Sequence, residues 1–291
     1  NLLAGQPAAA MDAARQIRAL GRRLNEPDLV AMGLNSEGRA LIKSGAVADG
    51  LALLDEAMVT VLEGRLDPFM TGVLYCHTIA ACHEVGDVLR MSRWTELAER
   101  WLTTVPAEVT FGAMCAVHRA QLQLLRGAWH QAELGALHVV ASLDLNRLDY
   151  AAQAWYVVAE VRRLRGAAGA AEAYGEAHAR GYDPQPGRAL LRLADGDAVG
   201  ALASVISAVA AAGPDPLRRA PLCAALVEIA IAAGHPQDAA AAATELARTA
   251  STFATSGLEA MAATARGAVL LAEGNVAEAL PVLRDACRRW Y

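Results

Sequence analysis

The sequence predicts an all-α protein, a solenoid of antiparallel helix hairpins in one continuous domain over residues 1–291. Three observations predict it. Alanine fills 67 of the 291 positions and aromatic residues only 5%, a balance that favours helix over strand. Hydrophobic residues make up 55% and charged residues 20%, enough to bury a large core and too apolar for a disordered chain. A glycine recurs along the chain, at Gly45, Gly86, Gly127, Gly166, Gly196, Gly234 and Gly274, with spacings of 41, 41, 39, 30, 38 and 40 residues. A period of that size marks helical repeats.

The residues around the glycines repeat as well. Five positions after six of them stands a small residue: Gly50, Ala132, Ala171, Ala201, Ala239 and Ala279. Seven positions before stands Gly38, Ala120, Ala159, Ala189 or Gly267, with Val227 as the exception. A glycine can take the left-handed conformation that closes one helix and sends the chain into the next. Small residues at matched heights then let two helix axes approach. One hairpin cannot bury its outer apolar stripe, so neighbours must stack.

Seven hairpins follow, over 7–63, 70–103, 112–143, 149–180, 187–212, 217–252 and 257–291. The first begins with a leading helix, 7–24. First helices are expected near 28–44, 70–86, 112–126, 149–165, 187–195, 217–233 and 257–273; second helices near 47–63, 90–103, 129–143, 168–180, 198–212, 236–252 and 276–291. Pro68, Pro106, Pro184, Pro186, Pro214 and Pro216 fall between hairpins, where helices should stop. The second repeat is irregular, with Met91 in place of a small residue and VLRMSRWTEL implying a longer turn. The fifth is short.

Charge narrows the partners. A net charge of −5 offers no general basic field for phosphate. The pairs Arg22-Arg23, Arg162-Arg163, Arg218-Arg219 and Arg288-Arg289 read as solvated helix surface, so this segment is expected to make no direct nucleic-acid contact. No apolar run reaches the roughly 18 residues of a membrane span, and no signal peptide is visible at the N-terminus. The five cysteines (Cys76, Cys82, Cys115, Cys223, Cys287) form no CxxC pair. Buried reduced thiols in a cytoplasmic protein are the expectation.

Catalytic signatures fail on inspection. Lys43 lacks the glycines of a phosphate loop, and GLNSEG (33–38) has its serine at the wrong offset for a nucleophile elbow. HEVGD (83–87) places Asp87 where a zinc-protease helix needs its second histidine. Cys76, His77, Cys82 and His83 on one helix, with Cys115 and His118 on another, have soft ligands at helical spacing. Cysteine is also a good small core residue, and that reading is preferred. No metal, no cofactor and no enzymatic activity are therefore expected.

Glycine at the inter-helix turn with small residues at both offsets resembles the tetratricopeptide repeat. GLALLDEAM (50–58), YCHTIAACHEVGD (75–87), WTELAERW (94–101), VHRAQLQLLRGAW (117–129), EVRRLRGAAGAAEAY (160–174), PQPGRALLRLADGD (184–197) and RGAVLLAEGNVAEALPVLRDA (266–286) together resemble the helical-repeat region of actinobacterial LuxR-type transcriptional regulators. The resemblance implies a right-handed superhelix. It also implies a regulatory domain that senses a ligand or partner and precedes a helix-turn-helix DNA-binding domain expected beyond residue 291. The alternative is a protein–protein interaction scaffold or small-molecule-binding repeat protein unrelated to transcription.

In such repeats the first helix of each hairpin lines the concave surface, at positions near −13, −10, −6 and −3 from the turn glycine. That register selects Asn35, Arg39, Cys76, His83, Met114, Gln121, Tyr156, Glu160, Arg163 and Glu228. Their mixture of aromatic, amide and charged groups suits a groove for a small molecule or a peptide, and is compatible with oligomerisation and with no membrane contact. Trp94, Trp101, Trp129 and Trp155 are expected to pack between helices.

Overall fold

Each of the seven repeat glycines closes a helix with the same hydrogen bonds. In the computed structural model, which describes residues 7–105, 112–142 and 148–290, all seven have positive φ, from 62° at Gly166 to 92° at Gly45. The glycine N–H bonds the carbonyl three residues back, and the next N–H reaches five back: Ala46 to Leu41 at 3.0 Å, Ala128 to Gln123 at 2.9 Å, His235 to Ala230 at 2.8 Å. This is the Schellman closure. Nothing lies within 4 Å of where a Cβ would sit at Gly127, Gly166, Gly196, Gly234 or Gly274, so backbone conformation and not crowding demands glycine there.

Fifteen helices are found among the described residues, and no strand. They are α1 (Pro7–Leu24), α2 (Pro27–Lys43), α3 (Val47–Leu62), α4 (Pro68–Glu84), α5 (Val88–Leu102), α6 (Gly112–Leu125), α7 (Trp129–Ser142) and α8 (Leu148–Leu164). There follow α9 (Ala170–Ala179), α10 (Gly187–Ala194), α11 (Ala198–Ala211), α12 (Pro216–Ala232), α13 (Pro236–Phe253), α14 (Ser256–Ala272) and α15 (Val276–Trp290). Aspartates at 67, 87, 197 and 215 cap α4, α5, α11 and α12 through their side chains, satisfying amides a helix start leaves open. Pro68 and Pro216 occupy first helical positions, where the missing N–H costs nothing. Pro106 lies outside the described residues.

Packing is sequential. Helices pair within hairpins (α2 with α3, α4 with α5, α8 with α9, α12 with α13, α14 with α15), and first helices touch the next first helix (α2 with α4, α8 with α10, α10 with α12, α12 with α14). The fold is an all-α repeat architecture. The chain forms two compact units, residues 1–118 and 119–291. Alanines fill the hairpin interiors: Ala120, Ala132, Ala159, Ala189, Ala201 and Ala279 are fully buried. At Gly38 a Cβ would stand 2.7 Å from the Gly50 carbonyl oxygen, so that pair sets the closest helix approach of the first hairpin. No helix is long and apolar enough to cross a membrane among the described residues.

Two expectations about irregular repeats are corrected. The second repeat has no longer turn, since α5 starts two residues after Gly86 like its counterparts, with Met91 fully buried at the small-residue position. The longer turn lies in the fourth repeat, where Gly169 (φ 84°) precedes α9. That extra turn shifts the register by two, so Ala173 is buried where Ala171 was expected, and Ala171 is exposed. Among the tryptophans, Trp129 opens α7 and is 36% exposed, so it is not packed between helices as expected. Cys287 is likewise exposed, against the expectation of buried thiols, while the other four cysteines are buried and form no disulfide.

Candidate functional site

Of the ten groove positions, five lie in the first unit. Asn35 and Cys76 are buried, so they stand behind the surface and not on it. Asn35 Nδ2 donates to Thr78 Oγ1 at 3.1 Å, pinning α2 to α4, while its Oδ1 has no donor. A buried acceptor left so costs roughly 1–3 kcal/mol. One α2 turn later comes Arg39, half-buried, and one turn beyond it Lys43, which pairs with Glu84. Arg39 thus lies between two cross-links from α2 to α4. Burial lowers its guanidinium pKa, with Glu84 opposing, yet it makes no hydrogen bond or ion pair among the described residues.

On α4, burial first, then the Arg39 guanidinium and the neighbouring His118, hold His77 down at about 4. His83 also falls to about 4, by burial and then His118. Its side chain is nonetheless exposed to water. Water access softens its shift relative to that of His77. Met114 is half-buried on α6. The Cys76 thiol contacts Cys115, and that contact with burial pushes it well above the ordinary thiol range. The cysteines and histidines considered for zinc do not assemble as ligands: no group of three or more His, Cys, Asp or Glu suited to a metal occurs among the described residues.

The second unit carries the other five. Gln121 is half-buried and engaged with a partner, and Glu228 is exposed. Tyr156, Glu160 and Arg163 share one stripe of α8, and the structure brings them together with two tyrosines the sequence did not single out. Arg163 Nη2 donates to Glu160 Oε2 at 2.7 Å, and the Tyr174 hydroxyl donates to Glu160 Oε1. The Tyr156 ring lies 5.0 Å from Tyr182 and 5.8 Å from Tyr174. Its hydroxyl accepts from the Gly187 N–H at the start of α10. A Cβ on Gly187 would overlap both Glu160 Oε1 and the Tyr174 hydroxyl.

Burial keeps all three phenols neutral, raising Tyr156, Tyr174 and Tyr182 above the ordinary tyrosine value. At Arg163 burial works against the charge, but the bond to Glu160 outweighs it and raises the pKa. The network joins α8, α9, the following loop and α10. The only cue for it in the sequence was Tyr174, eight residues after a turn glycine on a second helix, a position the inner-face register ignores.

A further recess of about 310 Å³ is lined by Pro214, Arg219, Glu245, Arg248, Thr249 and Thr252. Arg219 and Glu245 satisfy each other there through paired bonds, one of 2.8 Å. No protein-family model, curated protein or solved structure matches the chain.

Proposed function

We propose that this chain is the ligand- or partner-sensing repeat domain of a cytoplasmic LuxR-type transcriptional regulator of actinobacterial kind, its hairpins tetratricopeptide-like and wound as a right-handed superhelix. The observation that carries the reading is the chemistry of the first helices. In a fold of alanine-rich hairpins, α2, α4 and α8 carry arginine, histidine, tyrosine and glutamate on the stripes predicted to face inward. Bare scaffolding does not require such groups, and several of them carry a desolvation cost. A ligand seated on these stripes would favour one curvature of the array and so reposition an attached DNA-binding domain.

The test is genetic. Deleting the gene should change a defined set of transcripts, and complementation with Arg39→Gln plus Glu228→Gln should fail to restore the ligand response at unchanged protein abundance. An unaltered transcript profile after deletion overturns the regulator reading in favour of an interaction scaffold.

A further inference from the structure

We propose that the recess between the α11–α12 turn and α13 binds a small hydroxycarboxylate, with Arg248 taking the carboxylate and Thr249 and Thr252 accepting from the hydroxyl. The site lies apart from the inward stripes on which the sensing reading rests, and neither depends on the other.

The walls are fixed before any ligand arrives. Arg219 is held by four hydrogen bonds: Nη1 donates to the Val209 carbonyl at 2.8 Å and the Gly213 carbonyl at 3.4 Å, while Nε and Nη2 donate to the two Glu245 oxygens. These bonds tie the end of α11 and the turn after it to α13. The Arg219 bonds hold the Glu245 carboxyl below its ordinary value, and the buried Cys223 thiol donates to it as well. Burial, then Glu245, pushes that thiol up to about 12, so it stays protonated. Pro214 and Pro216 supply rigid apolar surface on the facing side. The space enclosed is about 310 Å³. At ~30 Å³ per water it holds about ten waters, room for a small ring acid.

The polar groups on α13 specify what fits. Glu245, Arg248, Thr249 and Thr252 follow each other at i, i+3, i+4 and i+7, one face of the helix. Arg219 and Glu245 cancel, whereas the exposed Arg248 side chain makes no hydrogen bond or ion pair among the described residues. The lining thus carries one net positive charge, which suits a monoanionic carboxylate better than a phosphate dianion. A guanidinium fork matches a carboxylate in shape as well as charge. Both threonine hydroxyls have already spent their protons: Thr249 Oγ1 donates to the Glu245 carbonyl at 3.2 Å and Thr252 Oγ1 to the Arg248 carbonyl at 3.0 Å. Only their lone pairs remain, so the ligand must bring the donor. Carboxylate, neighbouring O–H and a compact apolar body together answer Arg248, the threonines and the prolines.

The experiment follows the threonine methyl resonances of the whole 291-residue chain by NMR at constant ionic strength. Mandelate, phenylacetate (the same acid without the hydroxyl) and benzyl alcohol (without the carboxylate) are titrated separately to about 50 mM, a range that captures dissociation constants near ~1 mM. Saturable shifts at Thr249 and Thr252 are expected with mandelate, which should bind roughly threefold or more tighter than either analogue. Arg248→Gln should weaken mandelate about tenfold or more, while Arg284→Gln, at an exposed cation of α15, should not. Thr252→Val should bring mandelate down to the level of phenylacetate and leave phenylacetate unchanged. Melting temperatures show that the variants fold; positions 248, 252 and 284 are all exposed. No saturable shift with mandelate, an equal response in Arg248→Gln, or mandelate no tighter than its analogues overturns the proposal. Because binding alone is read, none of these outcomes touches the regulator reading.

Discussion

The α8 stripe and the α2–α4 stripe were drawn from the sequence by the same register, and they end in opposite electrostatic states. Around Glu160 every strong group has a partner: both carboxylate oxygens accept, the Arg163 guanidinium and Tyr174 hydroxyl donate, and Gly187 caps Tyr156. Around Arg39 the charge is half-buried and unmatched, and the Asn35 Oδ1 one turn away has no donor. A satisfied buried network fixes how helices pack, because losing any member strands the others. An unsatisfied one contributes little to packing and leaves binding capacity unused. The two stripes therefore differ in how much each holds the fold, and substitutions should sort accordingly.

The largest effect is expected at Glu160. Glu160→Leu removes the acceptor of both Arg163 and Tyr174, stranding a half-buried cation and a buried hydroxyl, and should cost about 3–5 kcal/mol in urea unfolding. A loss below about 1 kcal/mol would mean the network is not structural. Turn glycines come next. Gly127→Val forces a β-branched residue to φ near 74° in otherwise open space, costing about 1–2 kcal/mol or more. Gly175 is its control. It sits mid-helix in α9 without positive φ and with nothing near its Cβ position, so Gly175→Ala should stabilise by ~0.5–1 kcal/mol. Equal signs for the two would contradict the backbone explanation.

Much of this was legible and some was not, for reasons that differ by residue. The turn glycines were readable because left-handed closure excludes nearly every other residue, so Gly45 through Gly274 fix the helix ends to within about three residues. The fourth turn was misplaced because RGAAGAAEAY holds two glycines, and only Gly169 immediately precedes the helix. Inner-face periodicity identified α8 and α2, but it cannot tell a side chain that reaches solvent from one met by the next hairpin. Hence Asn35, bonded to Thr78 across 43 positions, was read as groove lining and is core. Tyr174, Tyr182 and Gly187 were missed because their meeting with Glu160 depends on the path from α9 to α10, which no local pattern encodes.

Arg39→Met tests the other side of the comparison. Replacing a half-buried cation that makes no ion pair with an apolar chain of similar length should leave stability unchanged or raise it by up to ~1 kcal/mol. A destabilisation above that size would show that Arg39 holds the fold.

The smallest expected effect is a pH dependence carried by α4. His77 stands at about 4 when folded, and solvent-exposed His83 is lowered in the same direction, against roughly 6.5 in an unfolded chain. Between those values the unfolded state binds more protons, so stability rises with pH across the window. The contribution is complete above about pH 6.5 and is lost as pH falls toward 4. Water reaches His83, so most of the slope should come from His77, and His77→Gln should flatten the curve more than His83→Gln. Unfolding free energies from urea at about pH 5 and about pH 7 check this, with the wild-type minus variant difference removing groups common to both. A slope that His77→Gln does not alter would place the titration elsewhere.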